Sequence, residues 1–158
     1  MDLILWRHAQ AHDAEPGCDD LSRPLTGKGE GQASRVAKWL DRQLPESTRV
    51  LVSPARRAEQ TARALGRKFK FRDELAPESS AEEALSFIKW TAENGPPHKG
   101  AVLLVGHQPM LGQIAARLLK VDEAACDMRK GAVWWLRSRE RESGNQVVVQ
   151  AVQSPDCL

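Results

Sequence analysis

Apolar residues follow two alternating periods along this chain, and the alternation predicts the fold. Leu3–Trp6 is a short continuous apolar run of the kind that forms a buried strand, and similar runs follow at Val50–Val52 and Ala101–Val105. Between the runs, apolar residues recur every three or four positions, as on helices that face a core. This alternation predicts an α/β three-layer sandwich, with a mostly parallel central sheet and helices on both faces.

Capping and breaking residues predict where the helices begin and end. Pro45 ends the first helix, and Ser53-Pro54 predicts an N-cap and a first-turn proline for the second. Ser80 and Glu83 form a capping box for the third helix, which Gly95-Pro96-Pro97 ends. The segments Ala132–Leu136 and Val147–Val152, separated by a polar turn, predict an antiparallel edge hairpin at the C-terminus.

Composition and charge narrow the class of protein. The chain has 158 residues, of which 41% are hydrophobic and 28% charged, so we expect one globular domain over residues 1–158. A net charge of +2 argues against a nucleic-acid partner, and three widely spaced cysteines indicate neither a disulfide framework nor a zinc site. With no signal peptide and no membrane-spanning apolar segment, the sequence predicts a cytoplasmic protein without a membrane partner.

Candidate catalytic residues follow two of the predicted strands. Arg7 and His8 come directly after the first strand, and His107 follows Gly106 after the strand Ala101–Val105. The carboxyl ends of parallel strands meet at one edge of an open α/β sheet, where ligand sites form. We therefore expect the two imidazoles to share a site.

Arginines surround the predicted site. The second helix begins at the same sheet edge and carries Arg57 in its first turn, while Arg23 precedes a Pro-Leu-Thr segment. Guanidinium groups at a helix N-terminus beside two imidazoles favour a phosphate pocket, because they bind phosphate oxygens bidentately. The alternative is that these arginines form surface ion pairs with Glu59, Glu30 or Asp20.

The residue types favour a histidine nucleophile for phosphate chemistry. No acidic pair follows a strand, so a magnesium or manganese site is not indicated, and no serine or cysteine lies in a nucleophile-elbow pattern. The segment Thr26–Gly31 matches neither phosphate-loop pattern and predicts a helix start instead. Neutral imidazole can attack phosphorus near pH 7 and form a phosphohistidine that water then hydrolyses. The chemistry predicted is therefore a phosphatase that needs no metal or cofactor.

Four segments together resemble the histidine phosphatase superfamily, the phosphoglycerate-mutase-like proteins, and within it the SixA-like phosphohistidine phosphatases. They are Leu5–Ala9, Asp20–Thr26, Val52–Thr61 and Val105–Pro109, in that order. The resemblance spans residues 3 to about 112, and the compact length is similar to that of the SixA-like branch.

The resemblance implies a role for each of five residues. His8 would be the nucleophile that accepts the phosphoryl group, Arg7 and Arg57 would hold its oxygens, and His107 would be the second histidine of the pocket. Arg23 matches the Arg-Pro-Leu-Thr segment and is expected at the pocket mouth.

The sequence departs from the superfamily pattern in three places. Ala9 replaces the glycine of the usual Arg-His-Gly motif. His12 is an additional imidazole that either faces solvent in the loop or lines the pocket entrance and binds phosphate. Many relatives use a glutamate as general acid, and the candidates here, Glu74 and Glu78, lie in a segment similar to one in SixA-like proteins, which lack a dedicated acid.

The absence of a clear general-acid motif bears on which class of substrate the protein uses. An alkoxide leaving group needs a proton as its bond to phosphorus breaks, whereas the imidazole of a phosphohistidine leaves more easily. The sequence therefore favours a phosphorylated protein carrying phosphohistidine as the substrate. Two alternatives remain open: a phosphatase for a small phosphorylated metabolite that uses Glu74 or Glu78 as acid, and a non-catalytic module that binds phosphate or a phosphoprotein.

Overall fold

A six-stranded mixed sheet forms the middle layer of the protein. In a computed structural model, which describes residues 1–90 and 100–158, the strand order is β3-β2-β4-β1-β5-β6. The strands are β1 (Asp2–Arg7), β2 (Arg49–Val52), β3 (Lys70–Phe71), β4 (Ala101–Gly106), β5 (Val133–Arg141) and β6 (Gly144–Gln153). The first four strands run parallel and the β5–β6 hairpin is antiparallel, which confirms the predicted sheet.

Helices cover both faces of this sheet. They are α1 (Gly27–Gln43), α2 (Arg56–Arg63), α3 (Ala81–Phe87) and α4 (Met110–Leu119). Successive strand residues point to opposite faces, so Leu3 and Leu5 pack with α3 and α4, whereas Ile4 and Trp6 pack with α1 and α2. The predicted three-layer sandwich is confirmed. Among the described residues, no helix combines the length and apolarity needed to cross a membrane.

The first turn of α1 packs tightly against the loop that leaves β1. Thr26 caps the helix by accepting a hydrogen bond from the Gly29 N–H at 3.0 Å. A Cβ atom on Gly29 would lie only 1.9 Å from the Gln10 carbonyl oxygen, so a side chain there would force the two segments apart. The glycine-rich segment is thus the predicted helix start, and Gly29 lets it approach the loop that carries the catalytic candidates.

Other boundaries differ in part from those predicted. The capping box of Ser80 and Glu83 is confirmed, but the predicted end of this helix is wrong, because α3 ends at Phe87, before Gly95-Pro96-Pro97, which lies outside the described residues. The N-cap predicted at Ser53 and the first-turn proline predicted at Pro54 are both wrong, because α2 begins at Arg56 after Ala55, which makes no side-chain cap. The hairpin strands are longer than predicted, and β3 was not predicted because two exposed residues carry no periodic signal.

Candidate active site

The two histidines lie side by side because their strands are neighbours. β1 pairs with β4 in parallel, with Arg7 opposite Gly106, so the next residue of each strand is a histidine at the same edge. The His8 N–H donates to the Gly106 carbonyl oxygen at 3.0 Å and extends the ladder by one residue. The ring centroids of His8 and His107 are 5.1 Å apart, inclined at 54°.

The hydrogen bonds of His8 determine which ring nitrogen can react. Its Nδ1 lies 2.7 Å from the Ala9 carbonyl oxygen, and a carbonyl can only accept, so Nδ1 carries the proton. In the neutral ring, the lone pair then belongs to Nε2. The backbone on either side is also held, since Gly131 donates to the His8 carbonyl and Ala9 donates to the Thr61 hydroxyl. His8 therefore holds the Nε2 lone pair, the candidate nucleophile, in a fixed orientation.

Burial and neighbouring cations keep both imidazoles uncharged. Burial, together with the positive charges of Arg57, Arg7 and Lys130, lowers the pKa of His8 to about 4, against the raising effect of the bond to Ala9. Burial, followed by the proximity of His8, lowers the pKa of His107 to about 3. At pH 7 both rings are therefore neutral, which is the form in which imidazole attacks phosphorus.

Ser53 holds His107 in place. The His107 Nε2 atom lies 2.7 Å from the Ser53 hydroxyl oxygen, which also accepts a hydrogen bond from the Ala55 N–H at 3.2 Å. Ser53 does not cap α2, because the helix begins at Arg56, and its hydroxyl contacts His107 instead. The other ring nitrogen, Nδ1 of His107, is buried and has no partner among the described residues.

Hydrogen bonds to backbone carbonyls hold Arg7 and Arg57 in place. Arg7 donates from Nη1 to the Met128 carbonyl at 2.7 Å, and Arg57 donates from Nη1 to the Asp20 carbonyl at 2.8 Å. In both side chains Nε is buried and has no partner in the described part of the chain. Buried donors are nearly always satisfied in native proteins, so a water molecule or an oxyanion ligand would complete the hydrogen bonding of these two nitrogens.

These side chains line one cavity of about 210 Å³. It brings together the five residues predicted from sequence: Arg7, His8, Arg23, Arg57 and His107. The remaining lining residues are Ala11, Pro77, Gln108 and Lys130. A larger cleft of about 640 Å³ lies at the opposite end of β2, but neither a histidine nor a carboxylate is among its lining residues. The smaller cavity is therefore the candidate active site.

Three predicted residues lie outside the lining of this cavity. His12 is exposed and lines a neighbouring depression, and its backbone carbonyl accepts a hydrogen bond from Arg23 Nη1 at 2.7 Å. Glu74 lies in a short 3₁₀ turn, Asp73–Leu75, and Glu78 is exposed. Pro77, next to Glu78, is the residue of this segment that reaches the cavity.

The ion pairs expected as the alternative occur only in part. Glu59 pairs with Arg63, whereas Asp20 pairs with both Arg57 and Arg23. Arg57 and Arg23 therefore pair with the carboxylate of Asp20 and also line the cavity. Ion pairing and phosphate binding are thus compatible for these two arginines.

Comparison with known proteins agrees with this geometry. The model of the histidine phosphatase superfamily (branch 1) matches residues 3–78. The phosphohistidine phosphatase SixA of Escherichia coli (strain K12) is 32% identical over 124 residues, which are 75% of this chain and 74% of that protein. The chain belongs to the histidine phosphatase superfamily. A SixA homologue of Haemophilus influenzae is 28% identical over 131 residues, 75% of this chain and 77% of that protein.

Solved structures place the protein in the same branch of the superfamily. The structure of the protein histidine phosphatase SixA complexed with tungstate superposes with a TM-score of 0.75 at 27% identity, covering 99% of each chain. This member of the superfamily is accordingly a SixA-like phosphatase, and hence a hydrolase, which confirms the resemblance stated from the four motifs.

Sequence reasoning missed two polar residues in the cavity of this histidine phosphatase, Gln108 and Lys130. The position of Lys130 does not follow from the carboxyl ends of the parallel strands. β5 is antiparallel to β1, with Val133 opposite Trp6, so its amino end lies at the catalytic edge. The sequence does show a lysine just before the apolar run Ala132–Leu136, and this was the signal that could have identified it. Gln108 follows His107 directly, and its amide bridges the Gly112 N–H and the Cys126 carbonyl.

Proposed function

We propose that this protein hydrolyses phosphohistidine on another protein through a covalent phosphohistidine at His8, without a metal ion or cofactor. The observation that carries the proposal is the His8 Nε2 lone pair in a small cavity lined by Arg7, Arg23, Arg57 and Lys130. Two findings about relatives support it: one is named a phosphohistidine phosphatase, and another binds tungstate, a tetrahedral oxyanion like phosphate.

In the first step, Nε2 of His8 attacks phosphorus, and the bond from phosphorus to the substrate imidazole breaks. That imidazole carries a proton on its other ring nitrogen, so it leaves as a neutral molecule. Arg7 and Arg57 stabilise the charge on the phosphoryl oxygens in the transition state, and His107 lies beside them in the cavity. As His8 becomes cationic, its Nδ1–H bond to Ala9 becomes charge-assisted and stabilises the intermediate.

In the second step, water attacks phosphorus of the phosphorylated His8. The bond from Nε2 to phosphorus breaks, His8 returns to the neutral ring, and the proton lost by water stays with the inorganic phosphate released. Two displacements thus replace one difficult hydrolysis. The arginines act in both steps because they are anchored on backbone carbonyls before the substrate arrives.

The composition of the cavity favours phosphohistidine over a phosphate ester. An ester needs an acid to protonate its alkoxide, and the lining contains Pro77 and Gln108 but neither Glu74 nor Glu78. The neutral imidazole of a phosphohistidine needs no such acid. A metabolite phosphatase would instead require Glu74 or Glu78 to turn toward the substrate.

Phosphate release in the presence of EDTA tests the proposal. A phosphohistidine-carrying protein and sugar phosphates are compared in parallel, and we expect turnover of the first at least about 100-fold faster, with EDTA having little effect. The leaving group of p-nitrophenyl phosphate needs no acid, so this ester serves as the control for a working nucleophile. Preference for a sugar phosphate would redirect the assignment to a metabolite phosphatase with a carboxylate acid. Phosphate binding without turnover would identify a non-catalytic module instead.

Lowering the pH from 7 to 5 is expected to destabilise the folded protein. The pKa of His8 is about 4 when folded, whereas an unfolded histidine has a pKa of about 6.5. Between these values protons bind mainly to the unfolded chain, so the free energy of unfolding falls with pH, for His8 by on the order of 1–2 kcal/mol at pH 5. Urea unfolding at both pH values measures the loss.

The variant His8→Asn is the control for this pH dependence. It removes one of the two buried imidazoles, so its loss of stability between pH 7 and pH 5 should be smaller than that of the wild type. An equal loss would show that His8 does not titrate below its usual range.

A further inference from the structure

One carboxylate, that of Asp20, connects two arginines of the active site. Asp20 begins the 3₁₀ turn Asp20–Ser22 in the loop before α1. Its Oδ2 accepts a hydrogen bond from Arg57 Nη2 at 3.2 Å, and its Oδ1 accepts one from Arg23 Nε at 3.0 Å. Its backbone carbonyl also accepts from Arg57 Nη1 at 2.8 Å. Asp20 therefore contacts both terminal nitrogens of Arg57 at once, which fixes the plane of that guanidinium.

The position of this carboxylate offsets a repulsion. Arg57 and Arg23 line the same small cavity, and their side chains are 4% and 22% exposed, so solvent screens their mutual repulsion only in part. Burial raises the pKa of Asp20, but Arg57 and Arg23 outweigh this effect and lower the pKa below its ordinary value. The carboxylate is thus ionised at pH 7 and lies against both cations.

The turn itself does not depend on this carboxylate. Asp19 caps the turn, because its Oδ1 accepts from the Leu21 N–H at 3.2 Å and its carbonyl accepts from the Ser22 N–H at 3.1 Å. The Asp20 side chain contacts arginines instead of the backbone of its own turn. Two adjacent aspartates therefore have separate tasks, and Asp19 provides a matched control for Asp20.

We propose that Asp20 is a positioning residue that aims the Arg57 guanidinium, with Arg23 beside it, at the transferring phosphoryl group. The proposal rests on the phosphatase reaction proposed above. Asp20 itself need not touch the substrate, since it acts through the arginines. A displaced guanidinium still attracts phosphate as a charge but no longer matches the transition state, so a positioning role affects the rate more than the affinity.

The substitutions Asp20→Asn and Asp19→Asn test this role. Asparagine keeps the size of the side chain and the backbone carbonyl but removes the charge. For Asp20→Asn we expect kcat to fall about 10-fold to 100-fold, while the inhibition constant of inorganic phosphate does not rise, because a negative charge near the anion is lost. For Asp19→Asn we expect kcat within about 3-fold of the wild type. Weaker phosphate binding in Asp20→Asn, parallel to its loss of kcat, would indicate a disrupted loop and overturn the proposal.

A double-mutant cycle separates the positioning role from other effects. If Asp20 acts through Arg57, then Asp20→Asn should change kcat by less than about 3-fold in an Arg57→Ala background. Fully additive losses would overturn the proposal. The cycle is measured with phosphohistidine protein and with p-nitrophenyl phosphate, so a wrong substrate assignment leaves the test intact. Absence of turnover by the wild type on both substrates would refute the proposed function, and the positioning role with it.

Discussion

Replacing His8 by alanine is expected to reduce phosphate release at least about 10⁴-fold while the protein stays folded. Nε2 of His8 is the lone pair that the hydrogen bond to Ala9 leaves available in the cavity. His107 is not an equivalent replacement, because its Nε2 atom is bonded to Ser53 and only the buried Nδ1 atom is left. Single-turnover measurements with phosphohistidine protein give the loss of rate, and circular dichroism with thermal unfolding shows whether the fold survives.

Covalent labelling distinguishes a nucleophile from a residue that only binds phosphate. The wild type, quenched during turnover of a phosphorus-32 substrate, should carry acid-labile and base-stable label, as expected for phosphohistidine. His8→Ala should carry none. The variant His8→Asn, which retains a polar side chain beside Ala9, should behave in the same way. Turnover within about 100-fold of the wild type in either variant, or label retained in both, would remove the assignment of His8.

The parts of the site that could be predicted from sequence are those placed by regular structure. His8 and His107 follow buried parallel strands, and neighbouring parallel strands bring the residues after them together. Arg57 lies in the first turn of a helix that starts at the same edge, so its position also follows from the order of the elements.

The parts that could not be predicted depend on contacts between distant segments. Capping preferences assign Ser53 to the start of α2, but its hydroxyl is bonded to His107, 54 residues away. Lys130 reaches the cavity because β5 is the hairpin strand that pairs with β1 and runs antiparallel to it, and the predicted hairpin did not specify which of its two strands would do so. Glu74 and Glu78 lie in irregular backbone, where spacing along the chain does not determine which side chain faces the cavity.

The fixed positions of the cavity's arginines have an energetic consequence. Anchoring Arg7 on Met128 and Arg57 on Asp20 holds the cations before substrate binds, so little reorganisation is left for the transition state. The same cations, together with burial, keep the pKa of His8 low and its nucleophilic form populated. In the proposed mechanism, the cations that would stabilise the phosphoryl group therefore also help to keep His8 neutral.

Alanine at position 57 is expected to lower kcat about 10² to 10³-fold, whereas alanine at position 56 should change it less than about 3-fold. Neighbouring helical residues point about 100° apart: Arg57 is buried in the cavity at 3% exposure, and Arg56 is exposed. Arg57→Lys keeps the charge but cannot donate hydrogen bonds to Asp20 from two nitrogens, so its kcat should lie between those of the two alanine variants. Steady-state kinetics of the three variants, with thermal unfolding to verify folding, measure this order. Equal losses for Arg56→Ala and Arg57→Ala would mean that net charge, and not a directed guanidinium, stabilises the phosphoryl group.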